Sequence, residues 1–117
     1  MTGENQKLLE RLINFGEGSI SLCQKLPSNP INRPLVNQYI KSSSSIGANY
    51  SEACSAESAK DFVHKVKILL KEARESKLFL RLILRANPGL VKDVDILAAE
   101  LDEITRIFVT IVSKFKS

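Results

Sequence analysis

Apolar residues along this chain recur at steps of three and four, and they do so in four separate blocks. Over about residues 5–26, Leu8, Leu9, Leu12, Ile13, Gly16, Ile20, Cys23 and Leu26 form one stripe, the mark of an amphipathic helix. Pro27-Ser28-Asn29-Pro30 ends it, because proline has no N–H for the helical ladder. A second block, 34–56, opens with Pro34 at a first helical position and puts Val36, Tyr39, Ile40, Ser43, Ile46, Gly47, Tyr50 and Cys54 on its inner face. In a third, 58–86, Phe62, Val66, Leu69, Ala73, Ser76, Leu80 and Ile83 follow a near-heptad seam. Ser58 and Asp61 stand at capping-box spacing just before it. After Asn87-Pro88-Gly89, a fourth block, 91–116, carries Val94, Leu97, Leu101, Ile104, Phe108, Ile111, Val112 and Phe115. Asp93 and Asp95 in its first turns, and Lys114 and Lys116 in its last, suit the helix dipole. Four amphipathic helices with short connections predict an all-α fold: an antiparallel up-down-up-down four-helix bundle, with residues 1–117 forming a single domain.

Two runs of small residues qualify this pattern. Gly16 and Gly18 each weaken the first helix by roughly 1 kcal/mol relative to Ala, which predicts a close helix–helix contact at one of them, or a kink. Ser42 to Ser45, followed by Gly47 and Ala48, disfavour an isolated helix. Packing must hold that segment, and its small side chains admit a neighbouring helix at short range.

Composition bounds the function. Hydrophobic residues make up 44% and charged residues 26% of 117 positions, the balance of one globular domain with one core. No run approaches the roughly 18 apolar residues of a membrane span, and Met1 to Glu10 has no signal-peptide h-region. A cytoplasmic location without membrane partners is expected. Cys23 and Cys54 fall on apolar faces and read as two buried thiols. One histidine and no Cys-x-x-Cys pair supply no metal set, and no cofactor motif is present.

The charge is uneven. The net charge is +4, and residues 57–86 alone hold eight basic and four acidic side chains, which accounts for the whole excess. Lys60, Lys67, Arg74 and Arg81 repeat every seven residues, with His64, Lys71 and Arg85 between them. At about 100° per residue all lie within roughly 60° of one line, opposite the Phe62–Ile83 seam, with Leu78 as the single apolar interruption. This cationic stripe has two readings: the plain solvated face of an amphipathic helix, or a track for a phosphate backbone. Aromatic residues are few (6%) and most sit on apolar faces, so nucleic-acid binding would be led by backbone charge with weak sequence preference.

Gln38, Ser45, Asn49 and Glu52 follow one edge at or beside the buried side of the second helix. A buried amide or carboxylate needs a partner, so these four read first as a hydrogen-bond network fixing helix register or a subunit contact, and second as a ligand or RNA contact. One carboxylate without a paired acid, a histidine or a metal set makes no active site, and no enzymatic activity is expected.

The stretch Ser43-Ser44-Ser45-Ile46-Gly47-Ala48-Asn49-Tyr50-Ser51-Glu52-Ala53, then Ser58 to Phe62 and Leu69-Leu70-Lys71-Glu72-Ala73-Arg74-Glu75-Ser76, resembles a bacterial four-helix bundle family. Its founding members are encoded in intervening sequences of 23S ribosomal RNA genes, and the accessory variability protein of diversity-generating retroelements is a relative. Ser45, Ile46, Asn49 and Glu52 carry the most specific part of the match, Ser-Ile-x-x-Asn-x-x-Glu. Gly47 and Cys54 stand where the pattern often has proline and glycine, a departure confined to the middle and end of the second helix. The resemblance implies a bundle that assembles into a homopentameric barrel with a central channel. By similarity to the retroelement relative it also implies RNA or DNA binding, with a reverse transcriptase as partner. For this chain, weak binding of RNA or DNA through Lys60, Lys67, Lys71, Arg74, Arg81 and Arg85 is one expectation. A protein-interaction scaffold without a nucleic-acid role is the other.

Overall fold

A computed structural model describes residues 2–115 as four α-helices: α1 (Gly3–Gln24), α2 (Asn32–Cys54), α3 (Ala59–Ala86) and α4 (Val91–Ser113). A short 3-10 turn, Pro88–Leu90, leads into α4. Side-chain caps explain where the boundaries move from the expected ones. The Thr2 hydroxyl accepts from the Asn5 N–H at 3.1 Å, so α1 starts ahead of Asn5. The Asn29 side-chain oxygen accepts from the N–H groups of Ile31 (3.0 Å) and Asn32 (2.7 Å), which starts α2 ahead of Pro34. Pro34 then occupies the first turn, where a missing N–H removes no intrahelical bond. Ser58 Oγ accepts from the Asp61 N–H at 3.1 Å, the expected cap of α3. The ends differ too: α1 stops at Gln24, short of Leu26, and α2 at Cys54, short of Ala56. In α4 the last helical residue is Ser113, so Lys114 is its cap and not part of the last turn; Lys116 lies outside the described residues.

Neighbouring helices run antiparallel. In each pairing, residue number rises on one helix as it falls on the other: Asn5–Tyr50 and Ser19–Tyr39 join α1 to α2, and Ser42–Ser76 and Glu52–Lys65 join α2 to α3. Phe62–Phe115 and Lys77–Asp102 join α3 to α4, and Arg11–Glu100 and Lys25–Asp93 close the square between α4 and α1. No close backbone approach links α1 with α3 or α2 with α4, so these pairs face each other diagonally across the core.

The core follows the seams of α3 and α4 as read from sequence: Val66, Leu69, Ala73, Ser76, Leu80 and Ile83 are buried against Val94, Leu97, Leu101, Ile104, Phe108 and Val112. Tyr50 meets Phe108 edge to face, with ring centroids 5.2 Å apart. In α1 the buried stripe is Leu12, Phe15, Ser19 and Leu22, one step round from the expected Ile13–Gly16–Ile20–Cys23 line. Ile13 and Ile20 are exposed. The first helix carries an apolar arc wider than one monomer buries, and periodicity alone could not tell which edge faced the core.

The serine run behaves as its size demands. Ser42 and Ser43 on α2 and Ala73 and Ser76 on α3 are all buried, and this seam has the most extensive backbone approach in the bundle. Ser76 Oγ donates to Ser42 Oγ at 2.8 Å, and Ser42 Oγ donates to the Tyr39 carbonyl at 3.2 Å. Of Gly16 and Gly18, Gly18 makes the close contact: a Cβ there would stand 3.3 Å from Leu97 Cδ2, while one at Gly16 would meet nothing within 4 Å. Two further polar pairs pin the core. Ser19 Oγ and the Tyr39 hydroxyl are 2.7 Å apart, and Asn32 and Asn87 exchange side-chain bonds of 3.1 and 2.9 Å. Among the described residues no buried side-chain polar atom lacks a partner.

Candidate nucleic-acid interface

The outer crest of α3 is cationic along its length. Lys60, His64, Lys67, Lys71, Arg74, Arg81 and Arg85 are all exposed, about 38 Å from first to last at 1.5 Å per residue. The helix sorts its cations by angle. Lys65, on the flank towards α2, donates to Glu52 at 3.0 Å, and Lys77, on the flank towards α4, donates to Asp102 at 2.7 Å. Neighbouring helices thus neutralise the flanking charges. Among the described residues none of the six Lys and Arg side chains on the crest forms an ion pair. Two leucines interrupt the line, not one: Leu78 is 54% exposed and Leu82 is 42% exposed. At i and i+4 they make one apolar step between Arg74 and Arg85.

One end of the crest opens into a cleft of about 520 Å³ between α3 and α4. Its walls are Val63, Val112 and Phe115, and Lys60, His64 and Lys67 stand around it. Phe115, expected on the apolar stripe of α4, is 49% exposed. Past the end of α4 its ring leans on Phe62, with centroids 5.4 Å apart and planes inclined by 37°. The Phe115 N–H still reaches the Val112 carbonyl at 3.0 Å, so the ring keeps the side the stripe gives it and is half-exposed because it lies past the last helical turn. The chain therefore does carry an aromatic surface beside its cations.

The four polar residues of α2 do not form the expected network. Gln38 and Glu52 are exposed, Ser45 Oγ donates to the Lys41 carbonyl at 2.7 Å, and Asn49 Nδ2 donates to the Ser45 carbonyl at 2.8 Å. Each precedes a buried residue (Tyr39, Ile46, Tyr50, Ala53) by one position, which turns it about 100° off the core. The buried polar contacts belong to Ser19, Asn32, Tyr39, Ser42, Ser76 and Asn87. The apolar pattern places Tyr39 and Ser76 on inner faces and the serine run includes Ser42, while nothing in the pattern marks Ser19, Asn32 or Asn87.

A second concavity, about 390 Å³, runs between α1 and α2. Leu9, Ile13, Gly16, Ile20, Ile40 and Gly47 line it, and it is mostly apolar, with Ile13 40% and Ile20 48% exposed. Helix α2 continues unbroken through Gly47 to Cys54.

Burial shifts three titratable groups near the core. Burial pushes the half-buried Cys23 thiol up to about 11. Burial also holds the Tyr39 phenol well above its ordinary range, against the partly offsetting bond from Ser19. Desolvation raises Tyr50 likewise, with Cys54 beside it. All three stay protonated at neutral pH. Among the described residues no group of three His, Cys, Asp or Glu side chains could hold a metal ion. Nor is any described helix long and apolar enough to cross a membrane.

The fold has a solved counterpart. The crystal structure of a protein of unknown function from the S23 ribosomal protein family of Bacteroides thetaiotaomicron VPI-5482 superposes with a TM-score of 0.84 at 27% identity, covering 93% of this chain and 97% of that one. A comparison with curated proteins gives no match. Residues 4–110 match the 23S rRNA-intervening sequence protein family, and the chain belongs to that family.

Proposed function

We propose that this protein is a non-enzymatic, cytoplasmic, self-associating bundle that binds RNA or DNA weakly, through phosphate contacts from Lys60, Lys67, Lys71, Arg74, Arg81 and Arg85. One observation carries the reading: the six cations share the crest of one helix with no carboxylate partner among the described residues, while the flanking cations Lys65 and Lys77 of the same helix are paired. Polyanion binding by such a line gains mainly from counterion release, so it is salt-dependent and nearly indifferent to sequence. The tie of the family's name to 23S rRNA genes agrees with an RNA-linked role. Retention of a labelled RNA on a filter at low and high salt tests the reading. Loss of retention with rising salt supports it, and absence of retention at low salt ends it.

The scaffold reading draws on a different surface. The α1/α2 groove exposes Ile13 and Ile20, apolar area available to a second copy in a homopentamer, or to a protein partner such as a reverse transcriptase. Light scattering separates these occupants. A pentamer that Ile13→Glu with Ile20→Glu reduces to monomer assigns the groove to self-assembly. A wild-type monomer that captures a reverse transcriptase through that groove, with no RNA retained, assigns it to a partner.

A further inference from the structure

We propose that the cleft between α3 and α4 receives one unstacked base of a single-stranded nucleic acid, set against Phe115, while the adjoining phosphates run onto Lys60, Lys67 and the rest of the crest. The inference rests on the backbone-binding reading above and adds to it the preferred form of the nucleic acid.

Three observations converge. The cleft, about 520 Å³, falls in the range of small-ligand pockets, roughly 300–1,000 Å³. Its wall combines a half-exposed aromatic ring with two valines, a surface that a planar base can cover, whereas a phosphate alone gains nothing there. Its cations do not stop at the rim. They continue through Lys71 and Arg74 to Arg81 and Arg85, so the complementary ligand is a polyanion and not a single anionic group. A lipid acyl chain would need a longer apolar channel than three side chains provide. A duplex keeps its bases stacked inside and reaches the crest with phosphates only. Pure charge contact favours the duplex, whose charge density is higher. A preference for the single strand therefore reports the base contact.

Fluorescence anisotropy tests this with a labelled mixed-sequence single strand of about 12 nucleotides, a length within the range one such surface occupies, and with its own duplex. Wild-type protein is expected to bind the single strand more tightly. Phe115→Ala should weaken single-strand binding about tenfold, the size of one base–aromatic stack, and leave duplex affinity and the salt slope unchanged. Phe115→Tyr should keep the single-strand affinity, and circular dichroism melting confirms that each variant folds. If Phe115→Ala leaves single-strand binding unchanged, or weakens single strand and duplex alike, the base-cleft inference is overturned while the backbone reading survives. If neither form binds wild type at low salt, both fall. Phe115-dependent binding of phosphatidylglycerol vesicles without oligonucleotide binding assigns the cleft to lipid and also overturns the inference.

Discussion

Neutralising the crest of α3 gives the sharpest test of its role, because the expected magnitude follows from counting charges. Six exposed cations without carboxylate partners among the described residues set an upper bound of six phosphate contacts. For a single strand each contact contributes about −0.7 to the slope of log K against log salt, so the full crest gives a slope near −4. Between about 50 and 200 mM salt the affinity should then fall about 300-fold. Replacing Lys67, Arg74 and Arg81 with Gln removes three contacts. The slope should halve to about −2, and the same salt step should cost the variant only about 20-fold. Anisotropy titrations at four or more salt concentrations measure both slopes on one oligonucleotide. A wild-type slope shallower than about −1, or a triple variant whose slope equals that of wild type, would refute the assignment of phosphates to this crest.

Three further outcomes probe the fold that presents it. Ser19→Ala strands the buried Tyr39 hydroxyl and should cost about 1–3 kcal/mol. Tyr39→Phe lets the Ser19 hydroxyl turn to a carbonyl of its own helix and should cost about 1 kcal/mol. In urea titrations the double variant should fall short of the sum of the two by about 1 kcal/mol. At alkaline pH the sign follows from the raised Cys23 thiol: its folded value, about 11, exceeds its ordinary 9.0, so the unfolded chain releases the proton first. The stability this gives is complete below pH 9.0 and is lost as pH climbs towards about 11. Urea midpoints of Cys23→Ala should fall less steeply over that window, and identical slopes would contradict the burial of the thiol. Ser76→Ala should be nearly neutral, because Ser42 keeps its bond to the Tyr39 carbonyl, whereas Ser76→Leu forces volume into the closest helix seam and should cost about 1–3 kcal/mol by thermal melting.

Much of this architecture is legible in the residue pattern, and the parts that are not share a physical cause. In α3 and α4 the three- and four-residue steps place Val66, Leu69, Leu101 and Phe108 in the core, although Leu78, Leu82, Ile96 and Val109 stand exposed on the same helices. The apolar arc of α1 is broad, and Ile13 and Ile20 compete with Phe15 and Leu22 for the inner position. Only the tertiary partner decides, here Tyr39 opposite Ser19. Asn29 and Thr2 cap helices from outside their apolar pattern, so the starts moved by about one half-turn. For the candidate interface, charge spacing places all six cations correctly on one exposed face, since a charge opposite a seam has nowhere else to go. Phe115 keeps the side its stripe gives it, against Phe62, but lies past the last helical turn, so periodicity does not show that half its surface stays open. Gln38, Ser45, Asn49 and Glu52 were displaced by one residue each, the smallest error that still removes a side chain from a helical core.

The crest also raises a question of stability that decides between its two readings. Lys67 with Lys71, Lys71 with Arg74, and Arg81 with Arg85 are like-charged neighbours one turn apart. Such pairs oppose the helix by about 0.2–0.5 kcal/mol each, so the crest costs about 1 kcal/mol in total at low ionic strength. The seam underneath tolerates this readily, because burying even one leucine stabilises by about 1.5–3 kcal/mol and α3 buries Val66, Leu69, Leu80 and Ile83. Folding therefore permits the charges without needing them. A merely solvated face would be free to alternate signs and recover that energy, as Arg106 and Glu103 do on α4 at 2.6 Å. The Lys67, Arg74 and Arg81 triple change to Gln, which should weaken oligonucleotide binding, is accordingly expected to leave the melting temperature unchanged or raise it by a few degrees in low salt, about 4 °C at most for a chain of this size. The gain should vanish as salt screens the repulsion. If the triple variant instead melts lower than wild type at every salt concentration, the cations hold the bundle together through contacts of their own, and their alignment needs no ligand to explain it.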